Sequence, residues 1–135
     1  MNPSRDFLFV GHADVRVFPK KSIRDDPSME TNMAWVLLLL AGLLEIIWAY
    51  AMKQSHGFSR LLPTLVMAVA MAGSFGLLAV SMRSLPLGTA YMIWTGIGAI
   101  GAFAVGVWVL GEAITPQRLI AALLIVAGMV TMKLS

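Results

Sequence analysis

Residues 34–52 read AWVLLLLAGLLEIIWAYAM, and this stretch decides the fold. It is apolar throughout apart from one acid, Glu45, near its middle. Nineteen residues at a helical rise of about 1.5 Å span roughly 28 Å, close to the hydrocarbon thickness of a bilayer. A carboxylate at that depth costs about 2.5–3.5 kcal/mol on insertion scales, so it is rarely present without a reason. The usual reasons are an ion or proton pathway, or a polar contact that holds two helices together. For a lone acid the functional reading comes first. The rest of the chain then reads as a housing for Glu45.

Composition supports a membrane protein. Of 135 residues, 59% are hydrophobic and 13% charged, with a mean hydropathy of +0.81. A soluble domain averages about 45–50% apolar and about 25% charged. Ten methionines and twelve glycines fit the same class, because glycine lets membrane helices approach closely. With no cysteine there is no disulfide framework and no thiol chemistry. The net charge of +3 comes from bases scattered at segment ends, which does not suggest nucleic acid. No nucleophile–base pair, phosphate-binding glycine loop or cluster of metal ligands stands out, so an enzyme is not expected. His12 and His56 lie outside the apolar runs and read as solvated.

Residues 1–32 differ from everything after them. They carry five bases (Arg5, Arg16, Lys20, Lys21, Arg24) and five acids (Asp6, Asp14, Asp25, Asp26, Glu30). Their apolar cluster at 7–10 is too short for the core of a signal peptide. We read 1–32 as a disordered N-terminal extension. Two origins stay open for it, an upstream start codon or a small regulatory tail. Residues 33–135 read as one four-helix transmembrane domain, with spans at about 34–52, 61–82, 87–110 and 116–134. Pro63 sits in the first turn of the second span, where a missing N–H costs nothing. The short linker at 83–86 predicts that spans two and three are antiparallel neighbours. Thr115-Pro116 predicts an N-cap followed by proline at the first helical position. Backbone polar groups cannot stay unpaired in lipid, which makes each span helical. Four helices of this size cannot wall a substrate path on all sides, so an oligomer with the path at its interface is expected.

Around the acid, offsets of three and four place Ala41, Gly42, Glu45, Trp48, Ala49 and Met52 on one face. The Trp48 indole can donate to the carboxylate, or it can be an ordinary packing aromatic. In the third span, Tyr91, Trp94 and Gly98 share a face, with Thr95 beside them. Gly96, Gly98 and Gly101 predict either a helix that bends at low cost or close packing through small residues. Ser74, between Gly73 and Gly76, is expected to satisfy its hydroxyl on the carbonyl one turn back.

The run GLLEIIWAYAMKQSHGFSRL at 42–61, LPLGTAYMIWTGIGAIGA at 85–102 and the ending KLS resemble the small multidrug resistance transporters. Within that family they are most similar to the guanidinium-exporter subtype. The resemblance covers residues 33–135 without visible gaps and stops at the extension. It implies an all-α antiparallel homodimer in a bacterial inner or plasma membrane, exchanging protons for small organic cations by alternating access. It implies Glu45 as the shared proton and substrate site. Trp48, Ser74, Tyr91, Trp94 and Gly42 match residues lining the subtype's pocket. No cofactor is implied, since the proton gradient supplies the energy. The extension is the one departure from the family pattern.

The residues suit such a cargo. Guanidinium is planar and presents N–H pairs in a fork that fits a carboxylate edge, and it is weakly hydrated. Quaternary ammoniums have no N–H to donate and rely on aromatic faces. Broad export of quaternary cations is therefore the second transporter reading, and a non-transporting structural subunit is a third. Lys53, Arg60 and Arg118 fall on one side of the membrane, Arg83 and Lys133 on the other. For residues 33–135 so even a balance predicts insertion both ways up, as an antiparallel dimer needs. The five bases of residues 1–32 would add to the Arg83/Lys133 side and bias it.

Overall fold

The computed structural model describes residues 27–135, which form four helices joined by short links. These are α1 (Pro27–Gln54), α2 (Leu61–Ser81), α3 (Leu87–Trp108) and α4 (Pro116–Leu134). All four are long and apolar enough to cross a membrane.

α1 begins at Pro27, so residues 27–32 belong to a helix and not to a disordered extension. The local chemistry accounts for this. Proline is favoured at a first helical position, and Glu30 in the first turn complements the helix dipole. No glycine or further proline interrupts residues 28–33. At 28 residues α1 is about 42 Å long, so its ends project beyond a hydrocarbon core of about 30 Å. The reading of 1–26, His12 included, lies outside the described residues.

The other ends follow their caps. Arg60 is extended before α2. Thr115 is extended before α4, with Pro116 at the start of the helix, and its hydroxyl accepts from the Arg118 N–H at 3.3 Å. That is the arrangement the Thr-Pro pair predicts. Between α1 and α2 the chain reverses through His56, Gly57 and Phe58, all with positive φ. Buried Ser55 holds this turn: its hydroxyl donates to the Met52 carbonyl (2.7 Å) and accepts from the Phe58 N–H (3.1 Å). His56 is exposed there. The third linker is tied by Arg118, which reaches Glu112 at 3.4 Å and donates to the Ala113 carbonyl at 3.1 Å.

α1 is the organising helix. It packs most extensively on α2 and then on α3, while α4 packs on α3. Lys133, near the end of α4, lies 5.2 Å from the centre of the Trp35 ring near the start of α1. The backbones of α2 and α3 approach at few points, and the two meet through side chains, Ser74 and Phe75 of α2 against Trp94 of α3. Their short link makes them consecutive, but small residues let α1 pack against both. Gly42 closes on Ile97 of α3, and Gly73 of α2 closes on Leu44 of α1. The buried set is correspondingly thin: Ala34, Leu38, Leu78, Ala90, Ile93 and Trp94 at its centre.

Most apolar surface points outward. No residue of α4 is buried within the subunit, and Trp108 is 83% exposed. In water this surface would drive aggregation. Against lipid tails, which are as apolar as leucine, it carries no such penalty.

Candidate functional site

Two acids follow residue 32, and they are handled differently. Glu112 is exposed in the third linker and pairs with Arg118. Glu45 is half-buried about two-thirds of the way along α1, and no salt bridge among the described residues involves it. Its Oε2 is buried and meets no hydrogen-bonding partner among them. The Trp48 Nε1 is in the same condition one turn further on. The expected donation from Trp48 to Glu45 is therefore not made within the subunit. A buried acceptor and a buried donor, both unsatisfied, cost free energy until something pairs with them.

Ser74 corrects a second expectation. It is fully buried, and its hydroxyl does not turn back onto its own helix. It donates across to the Ala41 carbonyl of α1 at 2.7 Å and accepts from the Trp94 Nε1 of α3 at 3.0 Å. In an α-helix the carbonyl of residue 41 also takes the N–H of residue 45. The relay Trp94–Ser74–Ala41 thus ends on the turn of backbone that carries Glu45. Ser74 can serve both partners because a hydroxyl donates once and accepts twice. Each such interhelical bond contributes about 0.6–1.7 kcal/mol in a membrane.

Aromatic rings form an arc beside this relay. Trp48 and Phe75 meet edge to face at 6.5 Å between centroids, and Phe75 and Trp94 do so at 5.7 Å. Tyr91 lies tilted on Trp94 at 5.4 Å. Trp94 is buried whereas Tyr91 is 50% exposed, so one end of the arc opens away from the subunit. Phase along each helix explains the set. Glu45 and Trp48 are one turn apart on α1, as are Tyr91 and Trp94 on α3. Thr95 is spent on its own helix, donating to the Tyr91 and Met92 carbonyls.

The structure therefore brings Glu45, Trp48, Ser74, Tyr91 and Trp94 into one cluster spanning three helices. Gly42 and Gly98 lie at its edges: Gly42 admits Ile97, and Gly98 admits the Glu45 carboxylate itself. Gly96 faces Met129 of α4 and Gly101 faces Ile46 of α1, so both lie at close helix contacts. Phe75 escapes a reading of the sequence, although it links Trp48 to Trp94. The available signal is a single large aromatic within the small-residue run Gly73–Gly76. A cavity of about 510 Å³ lies elsewhere, lined by Met29, Glu30, Met33, Val80, Arg83 and Ser84. Among the described residues no three His, Asp or Glu side chains come together as metal ligands.

A half-buried carboxylate beside π faces can bind an organic cation. The carboxylate supplies charge and in-plane acceptors, and the rings supply their negative faces.

The chain is similar to known proteins. The family model for Small Multidrug Resistance protein matches residues 33–133. The chain is 53% identical over 103 residues to the guanidinium exporter of Salmonella typhimurium, covering 76% of this chain and 98% of that protein. It is 52% identical over 103 residues to the guanidinium exporters of Escherichia coli and Citrobacter freundii, with the same coverage. The matched region holds all of α2 and α3 and every residue of the cluster. This chain is a multi-pass membrane protein and belongs to the small multidrug resistance family.

Proposed function

We propose that the protein exports guanidinium and related small cations in exchange for protons, by alternating access, as an antiparallel homodimer. The observation that carries this is Glu45: a half-buried intramembrane acid with an unpaired Oε2, beside an aromatic arc. Relatives more than half identical to it are named guanidinium exporters. Each part of the cluster has a role in this reading. Glu45 takes either a proton or the cation, and that competition couples the two fluxes. Guanidinium offers its N–H fork to the carboxylate edge and its flat face to the rings. Ser74 and Trp94 hold the turn that carries Glu45, while Trp48 and Tyr91 line the cation's space. The Trp48 N–H cannot donate to guanidinium, which has no acceptor. It suits a carboxylate instead, and a second Glu45 from the partner subunit provides one.

Two features support the dimer. α4 buries no residue within its own subunit, and the aromatic arc ends on half-exposed Tyr91. Within residues 33–135 the near balance of bases on the two sides supports opposite insertion of the two copies. No cofactor takes part; the proton gradient supplies the energy.

The aromatic arc favours a second reading, broad efflux of quaternary ammoniums bound through cation–π contacts. Parallel flux assays in liposomes separate the two. Hydrogen bonds to a charged group contribute about 1.5–3 kcal/mol, so guanidinium is expected to outrun a quaternary cation of greater bulk by about ten-fold or more. Equal or faster movement of the quaternary cation would assign the protein to broad cation efflux.

A further inference from the structure

Gly98 is where α3 leaves no space beside Glu45. A methyl built on Gly98 would overlap the Glu45 Cδ and both carboxylate oxygens, so the carboxylate rests directly against the α3 backbone. Building on the reading of Glu45 as the cation- and proton-binding group, we propose that Gly98 is a positioning residue. The bare backbone at 98 is the seat that fixes the Glu45 carboxylate and so sets the affinity for guanidinium.

Neighbouring glycines set this position apart. A methyl on Gly42 would meet Cγ2 and Cβ of Ile97 at 2.6 and 2.8 Å, atoms on a β-branched side chain that is stiff at χ1. A methyl on Gly101 would meet Ile46, likewise β-branched. At those two positions alanine presses on helix packing. A methyl on Gly96 would meet the thioether end of Met129, which repacks readily. At Gly98 the obstructing group is the far end of a flexible glutamate, so the helices keep their places and the carboxylate swings aside. Alanine also favours a helix interior over glycine by about 0.8–1.0 kcal/mol, so α3 itself is not weakened. What changes is the position of the charge. Misplacing a positioned group by about 1 Å can cost about 100-fold in the rate of a reaction that depends on its geometry.

The test compares wild type, Gly98→Ala, Gly96→Ala, Glu45→Asp and Gly98→Ala/Glu45→Asp in the full chain, reconstituted in liposomes. KM and maximal rate are measured with guanidinium as substrate. Gly98→Ala is expected to raise KM about ten-fold or more, with a smaller change in maximal rate. Gly96→Ala removes a glycine from the same helix and is expected to keep the wild-type KM. Aspartate is one methylene shorter and draws the carboxylate back, so the added methyl should raise KM far less in the Glu45→Asp background than in wild type. Such non-additivity marks residues in contact. Equal KM changes in Gly98→Ala and Gly96→Ala, or additive changes in the double variant, would overturn the proposal in favour of a helix-bending role. If Gly98→Ala fails to assemble, Gly98→Ala/Glu45→Ala removes the group that the methyl meets and must restore assembly; continued failure overturns the proposal equally. A wild-type protein that does not transport guanidinium refutes the functional reading, and this proposal with it. A wild-type protein that does, beside an unaltered Gly98→Ala, refutes the seat alone.

Discussion

Glu45→Gln is expected to abolish proton-coupled export while leaving the four-helix subunit folded. Glutamine fits the space against Gly98 as glutamate does, and its carbonyl still accepts a hydrogen bond. It carries no charge for a cation and takes up no proton near neutral pH. A charge pair about 4 Å apart is worth about 4 kcal/mol at an effective dielectric of 20. That corresponds to a loss of about 1,000-fold in affinity. Glu45→Asp keeps the charge on a shorter arm, so it is expected to retain part of the activity. Flux assays with guanidinium, beside gel filtration of each purified variant, separate lost chemistry from lost assembly. A Gln variant that concentrates guanidinium at the wild-type rate would remove Glu45 from the mechanism.

Ser74→Ala is expected to be the next most damaging change, and to act through selectivity. It strips the Trp94 Nε1 of its acceptor and frees the Ala41 carbonyl from its cross-helix donor. A buried donor left alone costs about 1–3 kcal/mol. Trp94 and the turn of α1 carrying Glu45 then lose their common anchor. Guanidinium depends on a well-aimed carboxylate and should bind about ten-fold more weakly. Quaternary cations depend on ring faces and volume, so they should lose less. Paired dissociation constants for one cation of each type provide the measurement. A uniform loss for both would reduce Ser74 to a packing role.

These two residues also mark how far local sequence carries the account. Glu45 is legible because a charge among apolar residues is conspicuous whatever surrounds it. The spans are legible for a related reason: bilayer thickness and backbone pairing act on each segment by itself. Thr115-Pro116 marks the start of α4 because a cap is a contact between residues three apart. Ser74 shows where such reasoning ends. Taken singly, a hydroxyl in a helix returns to its own backbone, as those of Ser81 and Thr131 do. Its bond to Ala41 spans 33 positions and exists only because α1 and α2 approach closely. The place of α1 against both α2 and α3, Phe75 within the arc and the Gly98 wall are likewise products of helix packing. The start of α1 at Pro27 is hidden for a different reason. Ten charged residues within 1–32 outweigh the helix-start signal of Pro27 and Glu30.

The central claim is exchange: one site, occupied in turn by a proton and by guanidinium. Its most direct test is guanidinium distribution across liposomes that contain the full-length protein, with a pH gradient imposed and the membrane potential clamped. The account predicts that guanidinium accumulates in the more acidic compartment as protons leave it, and that reversing the gradient reverses the accumulation. Guanidinium that merely equilibrates, with equal concentrations on both sides whichever way the gradient runs, would contradict it.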